Sequence, residues 1–262
     1  ECLATMKEME HLDLESKDGK APGGFMYPLY EIGVPFIYMN AVGSQRDVVT
    51  MVHEGGHAVH SFLSRDLKLT EFKSTPSEVA ELASMSMELL SMKNWDVFYE
   101  NKEELKRAKQ EQLEKVLEGL PWIAAIDKFQ HWIYTTDHTA EERREQWLEI
   151  SSQLGNQIID WSGQEESLAN QWQKQLHLYE VPFYYIEYGM AQLGAIAMWR
   201  EYILKGEDAL DNYMEALKLG YTKSISEIYE TAGIKFDFSV EYVKELADFI
   251  KTQLSKIDNK SS

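Results

Sequence analysis

Cysteine is nearly missing from this chain. Cys2 stands alone among 262 residues, so no internal disulfide can form, and a reducing, cytoplasmic setting is the expectation. Positive charge is also short: 26 lysines and arginines against 44 aspartates and glutamates leave a net charge of −18. That balance speaks against nucleic acid and against anionic membrane surfaces as partners. No apolar run reaches the ~18 residues of a membrane-spanning helix, and residues 1–20 are too polar to read as a secretory signal. A glycine cluster does occur at Gly19-Lys20-Ala21-Pro22-Gly23-Gly24, but G-K-[ST] is absent, so it reads as a loop and not as a phosphate cradle. With only 6 prolines in the chain, long helical patterns run with few interruptions.

What is present centres on residues 46–60, where His53-Glu54-Gly55-Gly56-His57 forms an H-E-x-x-H motif. On a helix, His53 and His57 lie one turn apart on one face, so two imidazoles can share a tetrahedral metal ion. Glu54 falls beside them, placed to handle a water without being a ligand. Asp47 suits the helix start, and Val48, Val49, Met51, Val52, Val59, Phe62 and Leu63 supply an apolar stripe. The glycine pair costs about 2 kcal/mol relative to alanine in a helix. Close backbone approach by a substrate or a neighbouring helix is the expected reason for it.

A catalytic zinc site needs a third protein ligand. Residues 75–88 offer Glu78, Glu81 and Glu88 on a second helix, which Pro76 would open and Thr75 or Ser77 would cap. Carboxylates on a face shared with Val79, Leu82, Met85 and Leu89 need a partner, either a metal or a metal-bound histidine. Spacing alone does not choose among the three.

His53-Glu54-Gly55-Gly56-His57-Ala58-Val59-His60, followed by Glu81 within residues 78–88, resembles the oligoendopeptidase F and thimet oligopeptidase family of zinc metallopeptidases. The resemblance implies His53, His57 and Glu81 as ligands of one Zn2+, Glu54 as the general base and Glu88 as a brace of the site; Glu78 has no equally general counterpart there and stays a candidate for supporting the ligands. It covers nearly the whole chain but only the C-terminal, catalytic part of the family, without the helical portion that precedes it. The fold implied is a mainly α, zincin-like catalytic domain over residues 1–262, with loops and a small β-ribbon in residues 1–45 and helices in 46–262. The activity implied is endopeptidase cleavage of short peptides. A non-catalytic zinc- and peptide-binding fragment and a thermolysin-like protease are the alternatives.

Two further stretches bear on substrate. Residues 25–30 and 35–40 read as two short strands, which Pro28 and Pro35 push toward sheet edges. An edge of that kind can take up an extended peptide as an added strand. The resemblance extends through the glycine loop into Phe25 and makes Gly24 and Phe36 candidates for substrate binding. In residues 175–188, Pro182 should open a helix with Tyr184 and Tyr188 on one face. A hydroxyl or imidazole there is suited to stabilising a tetrahedral oxyanion. The resemblance favours His177 and Tyr188, then Tyr184, with Tyr185 a substrate contact. His131 and His138 read as structural or surface residues. Elsewhere the pattern predicts a helix over 103–119, a break at Pro121, a second helix over 122–134, and helices divided by Gly206, Gly220 and Gly233 that end near Leu254.

Overall fold

A computed structural model describes residues 1–259. The chain is mainly helical with one small sheet. In order it runs α1 (Cys2–Glu8), β1 (Leu12–Glu15), β2 (Phe25–Tyr27), β3 (Phe36–Ala41), α2 (Gln45–Ser64), α3 (Thr70–Lys73), α4 (Ser77–Ser91), α5 (Lys102–Thr135), α6 (Ala140–Leu154), α7 (Glu165–Ala169), α8 (His177–Glu180), α9 (Ile186–Lys205), α10 (Glu207–Lys218), α11 (Ile225–Thr231) and α12 (Val240–Asn259), with short 3₁₀ turns at Met92–Val97 and Gln171–Lys174. Where the sequence treats residues 1–262 as one domain, the structure groups them into two compact units: residues 1–110 with the part from 191 onward, and residues 111–190.

In the first unit the sheet has three strands in the order β1-β3-β2, with β1 parallel and β2 antiparallel to β3. Both predicted strands form, but only β2 lies at an edge. Pro35 precedes β3 by one residue and so never costs the ladder a donor, which leaves β3 free to sit in the centre. Ile37 of β3, Met6 and Ala58 of α2 close a small core beneath the sheet, with Met26 and Met51 packed against it.

Helix α2 starts where Ser44 caps it and Asp47 accepts the Ser44 and Val42 amides at 2.7 and 2.9 Å. Its partner is α4, and Gly56 is the reason the two can touch. A Cβ at Gly56 would stand 2.6 Å from both the Ala83 carbonyl oxygen and the Ser84 Cα, whereas a Cβ at Gly55 would meet nothing within 4 Å. The neighbouring helix, not a substrate, therefore accounts for Gly56. No side chain caps α4; its first turn bonds back to the Pro76 carbonyl. Two tyrosines from later helices secure it. Tyr213 of α10 donates to the Ala83 carbonyl at 2.6 Å, and Tyr229 of α11 donates to the Glu78 carbonyl at 2.9 Å.

In the second unit, Ile126, Phe129, Trp147, Ile150, Trp172 and Leu178 form the core. Phe129 meets the Trp147 and Trp172 rings at centroid distances of 5.3 and 5.1 Å. The structure corrects two predicted boundaries. Pro121 does not break the helix: α5 runs through it. Losing the bond to the Leu117 carbonyl costs about 3 kcal/mol, which burial of the apolar face carried by Ala125, Ile126 and Phe129 offsets. Pro182 does not open a helix either. Phe183 takes a φ of 64° in the left-handed region, its ring held against His131 and Tyr134, and α9 begins only at Ile186. At the far end of the chain α12 continues to Asn259, beyond the predicted Leu254.

Candidate metal centre

The regular rise of α2 brings His53 and His57 together, their ring centroids 4.9 Å apart and the planes edge-on at 86°. Across the α2–α4 contact, Glu81 is buried with Oε2 at 3.3 Å from His53 Nε2 and 3.7 Å from His57 Nε2. One donor atom from each of the three lies within 4.8 Å of the others. Zinc bonds of ~2.0–2.1 Å in a tetrahedron set donors about 3.3 Å apart, so the residues present fit that ion.

The ring nitrogens not facing Glu81 are occupied. His53 Nδ1 donates to Glu88 Oε1 at 2.7 Å, and the His57 ring donates to the Ala80 carbonyl. Both bonds leave Nε2 as the donor atom toward a metal, the arrangement that orients and strengthens histidine ligands. Ser84 donates to Glu81 Oε2 at 2.8 Å.

Electrostatics mark the same spot. Burial disfavours a charged His53, yet the bonded Glu88 carboxylate, then Glu81 and Glu54, raise it to about 9. Burial and then the neighbouring imidazoles of His53 and His60 push His57 down to about 3. Burial raises both Glu54 and Glu81 above the ordinary carboxylate range. Three carboxylates thus crowd two imidazoles in a largely dry place, where a divalent cation would supply the missing positive charge. Glu54 is buried beside them, and the Met26 backbone amide of β2 donates to its carboxylate.

The remaining candidates fall in different places. Glu78 lies outside the donor cluster; its backbone carbonyl is the acceptor for Tyr229. Gly24 abuts α2, where an added Cβ would stand 3.1 Å from Thr50 Cγ2. Phe36 pairs across the sheet with Tyr27, and its ring lies 5.9 Å from that of His11.

In the second unit His177, Tyr184, Tyr185 and Tyr188 do come together. The His177 ring centroid lies 6.0, 4.9 and 5.6 Å from the three tyrosine rings, and Tyr184 and Tyr188 are 5.4 Å apart. The protonation of His177 can be deduced. Trp122 Nε1 only donates, so at 3.1 Å it fixes Gln175 Oε1 toward itself; Gln175 Nε2 then donates to His177 Nδ1 at 2.6 Å. The His177 proton must therefore sit on Nε2. Partial burial lowers its pKa. His131 and His138 are exposed or partly so, His131 lying 3.6 Å from Asp127 and His138 bonding the Thr136 carbonyl at 2.7 Å.

Several contributors escape sequence reading. Ser84 could have been found, three residues after Glu81 and thus on its face. The Met26 amide, the Ala80 carbonyl, Tyr213 and Tyr229 carry no local signal.

Comparison with known proteins identifies a family. Residues 4–248 match the model of Peptidase family M3. Oligopeptidase PepF of Bacillus subtilis (strain 168) is 24% identical over 233 residues, 87% of this chain and 34% of that protein. An oligoendopeptidase F homolog of Lactococcus lactis subsp. lactis (strain IL1403) is 21% identical over 255 residues, 96% of this chain and 42% of that protein. Among solved structures, PZ peptidase A with inhibitor 2 superposes with a TM-score of 0.88 at 29% identity, covering 98% of this chain and 46% of that one. The chain spans less than half the length of these relatives.

Proposed function

The chain belongs to peptidase family M3, and from that premise we propose that it is the zinc-bearing catalytic part of a metalloendopeptidase that cleaves internal bonds of short peptides. The observation that carries the proposal is the convergence of His53, His57 and Glu81, from two helices, on donor positions matching a single zinc ion. When bound, zinc supplies Lewis-acid polarisation of a carbonyl and an acidified water.

The chain's own residues supply the rest. His53 and His57 present Nε2 because Glu88 and Ala80 hold their opposite nitrogens. Glu54, not a ligand, takes a proton from the attacking water and gives it to the leaving amine; burial raises its pKa. The resemblance adds an oxyanion donor from His177 or Tyr188, and the neutral Nε2–H of His177 is chemically suited to it. Family membership sets aside the thermolysin-like alternative. A reducing, cytoplasmic setting and short, unstructured peptides as partners complete the reading; among the described residues no helix is long and apolar enough to cross a membrane.

Glu54→Gln tests the assignment. The variant should keep one zinc per chain by metal analysis and lose at least about 10³-fold in turnover of a quenched-fluorescent peptide. Normal turnover would refute Glu54 as the base. Because the relatives are more than twice as long, assay of this chain beside a longer one separates an active piece from a peptide-binding one.

A further inference from the structure

Glu54 takes its backbone hydrogen bond from a strand that has little of its own to hold it in place. β2 is three residues long, sits at a sheet edge and, among the described residues, pairs only with β3. The loop before it contains Gly19 and Gly23 at φ of 78° and 112°. A strand this short is marginal unless something outside the ladder fixes it.

Lys20 does so. Its side chain is only 7% exposed. Its Nζ donates to the Met39 carbonyl at 2.6 Å, the Glu15 carbonyl at 2.8 Å and the Asp13 carbonyl at 3.1 Å, and lies 3.1 Å from Asp13 Oδ1. It also stands 4.4 Å from the centre of the Tyr38 ring. An ammonium has three protons, so carbonyls of two strands exhaust it. Two of them, Asp13 and Glu15, flank the point where the β1–β3 register shifts and the ladder itself is interrupted. A buried lysine is costly unless its charge is met in this way.

Beyond Lys20 the loop is tied at nearly every residue. Ala21 accepts from the Tyr38 hydroxyl at 2.7 Å and from Asn40 Nδ2 at 2.8 Å; Gly23 accepts from Asn40 Nδ2 at 3.0 Å. Gly24 closes on Thr50 of α2, and β2 begins at the next residue. We infer that Lys20 is a positioning residue for the general base: by fixing residues 20–24 on β1 and β3 it sets β2 against α2, so that the Met26 amide holds the Glu54 carboxylate. The inference rests on Glu54 acting as the base, as proposed above.

Lys20→Met, in protein labelled with ¹⁵N-methionine, provides the test. The Met26 amide, identified by its loss in Met26→Leu, should exchange with solvent at least about tenfold faster in Lys20→Met than in the parent. In peptide hydrolysis kcat should fall about tenfold or more with KM within about threefold and zinc content unchanged, since misplacing a catalytic group is felt in the chemical step. In a Cys2→Ser background, Lys20→Cys alkylated with 2-bromoethylamine returns an amine at nearly the same reach and should restore both readouts. If Lys20→Met does not fold, Asn40→Ala loosens the same loop and should move both readouts the same way to a lesser degree. An unchanged Met26 amide overturns the inference, and so does a change carried wholly by KM. A parent that binds zinc but hydrolyses nothing would sink the proposed activity, while the Met26 amide would still decide whether Lys20 controls that bond.

Discussion

The α2–α4 pair and the segment from His177 to Tyr188 both gather polar groups suited to peptide chemistry, but they are built differently. In the first, three donor atoms ride on two regular helices, and their spacing follows from helical geometry once Gly56 lets the axes close. In the second, the ring cluster is assembled across a short helix, an irregular turn at Phe183 and the start of α9. Regular backbone converts sequence spacing into distance; irregular backbone does not. The metal donors should accordingly form an all-or-none set, and the aromatic cluster should act as separable contributions.

Breaking the first set gives the largest effect. His57→Ala or Glu81→Ala should bring bound zinc, measured by plasma emission, from one per chain to near zero, with turnover down at least about 10³-fold. Either variant retaining stoichiometric zinc would show that the donors are not one set.

The aromatic cluster should respond more mildly and without loss of metal. Tyr188→Phe and His177→Phe should each lower kcat by about 10²-fold with zinc content unchanged, the scale of removing one oxyanion donor. Loss of zinc in either variant would erase the contrast between the two regions.

The glycine pair sharpens the comparison within α2. Gly56→Ala forces a methyl into the α4 backbone and should destabilise by about 3 kcal/mol or more in denaturant unfolding. Gly55→Ala, with open space around it, should stabilise by up to about 1 kcal/mol. Equal effects would mean that the helices do not approach as described.

The last effect is confined to acid. His60 of α2 is buried, its Nε2 is without a hydrogen-bond partner, and burial lowers its pKa from 6.5 to about 4. The folded state excludes a proton that the unfolded chain accepts. Its contribution is therefore complete above 6.5 and is lost as pH falls toward about 4, by about 3 kcal/mol in all. His60→Leu should flatten the decline in stability across that window, as read from unfolding at successive pH values; an unaltered slope would assign the decline to other groups.

How much was legible follows the same division. Strands β2 and β3 and the glycine-divided helices at the C-terminal end were readable because patterning and turn residues act locally. Continuity through Pro121 was not, since the buried aromatic core that outweighs the lost bond is completed by Trp147 and Trp172, far along the chain. Nor was the central position of β3, which depends on β1 pairing to it in parallel.

By itself the sequence determined the H-E-x-x-H pair on one helical face, the acidic second helix and the family they resemble, because each is a matter of spacing along a regular backbone. Only the tertiary structure decided that Glu81 faces the imidazoles while Glu78 lies outside the donor cluster. It also decided that Glu88 bonds His53, and that the Met26 amide reaches Glu54 from the sheet. Those outcomes depend on how closely α2 and α4 pack and on where a three-residue strand is held, and neither is written in any one stretch of the chain.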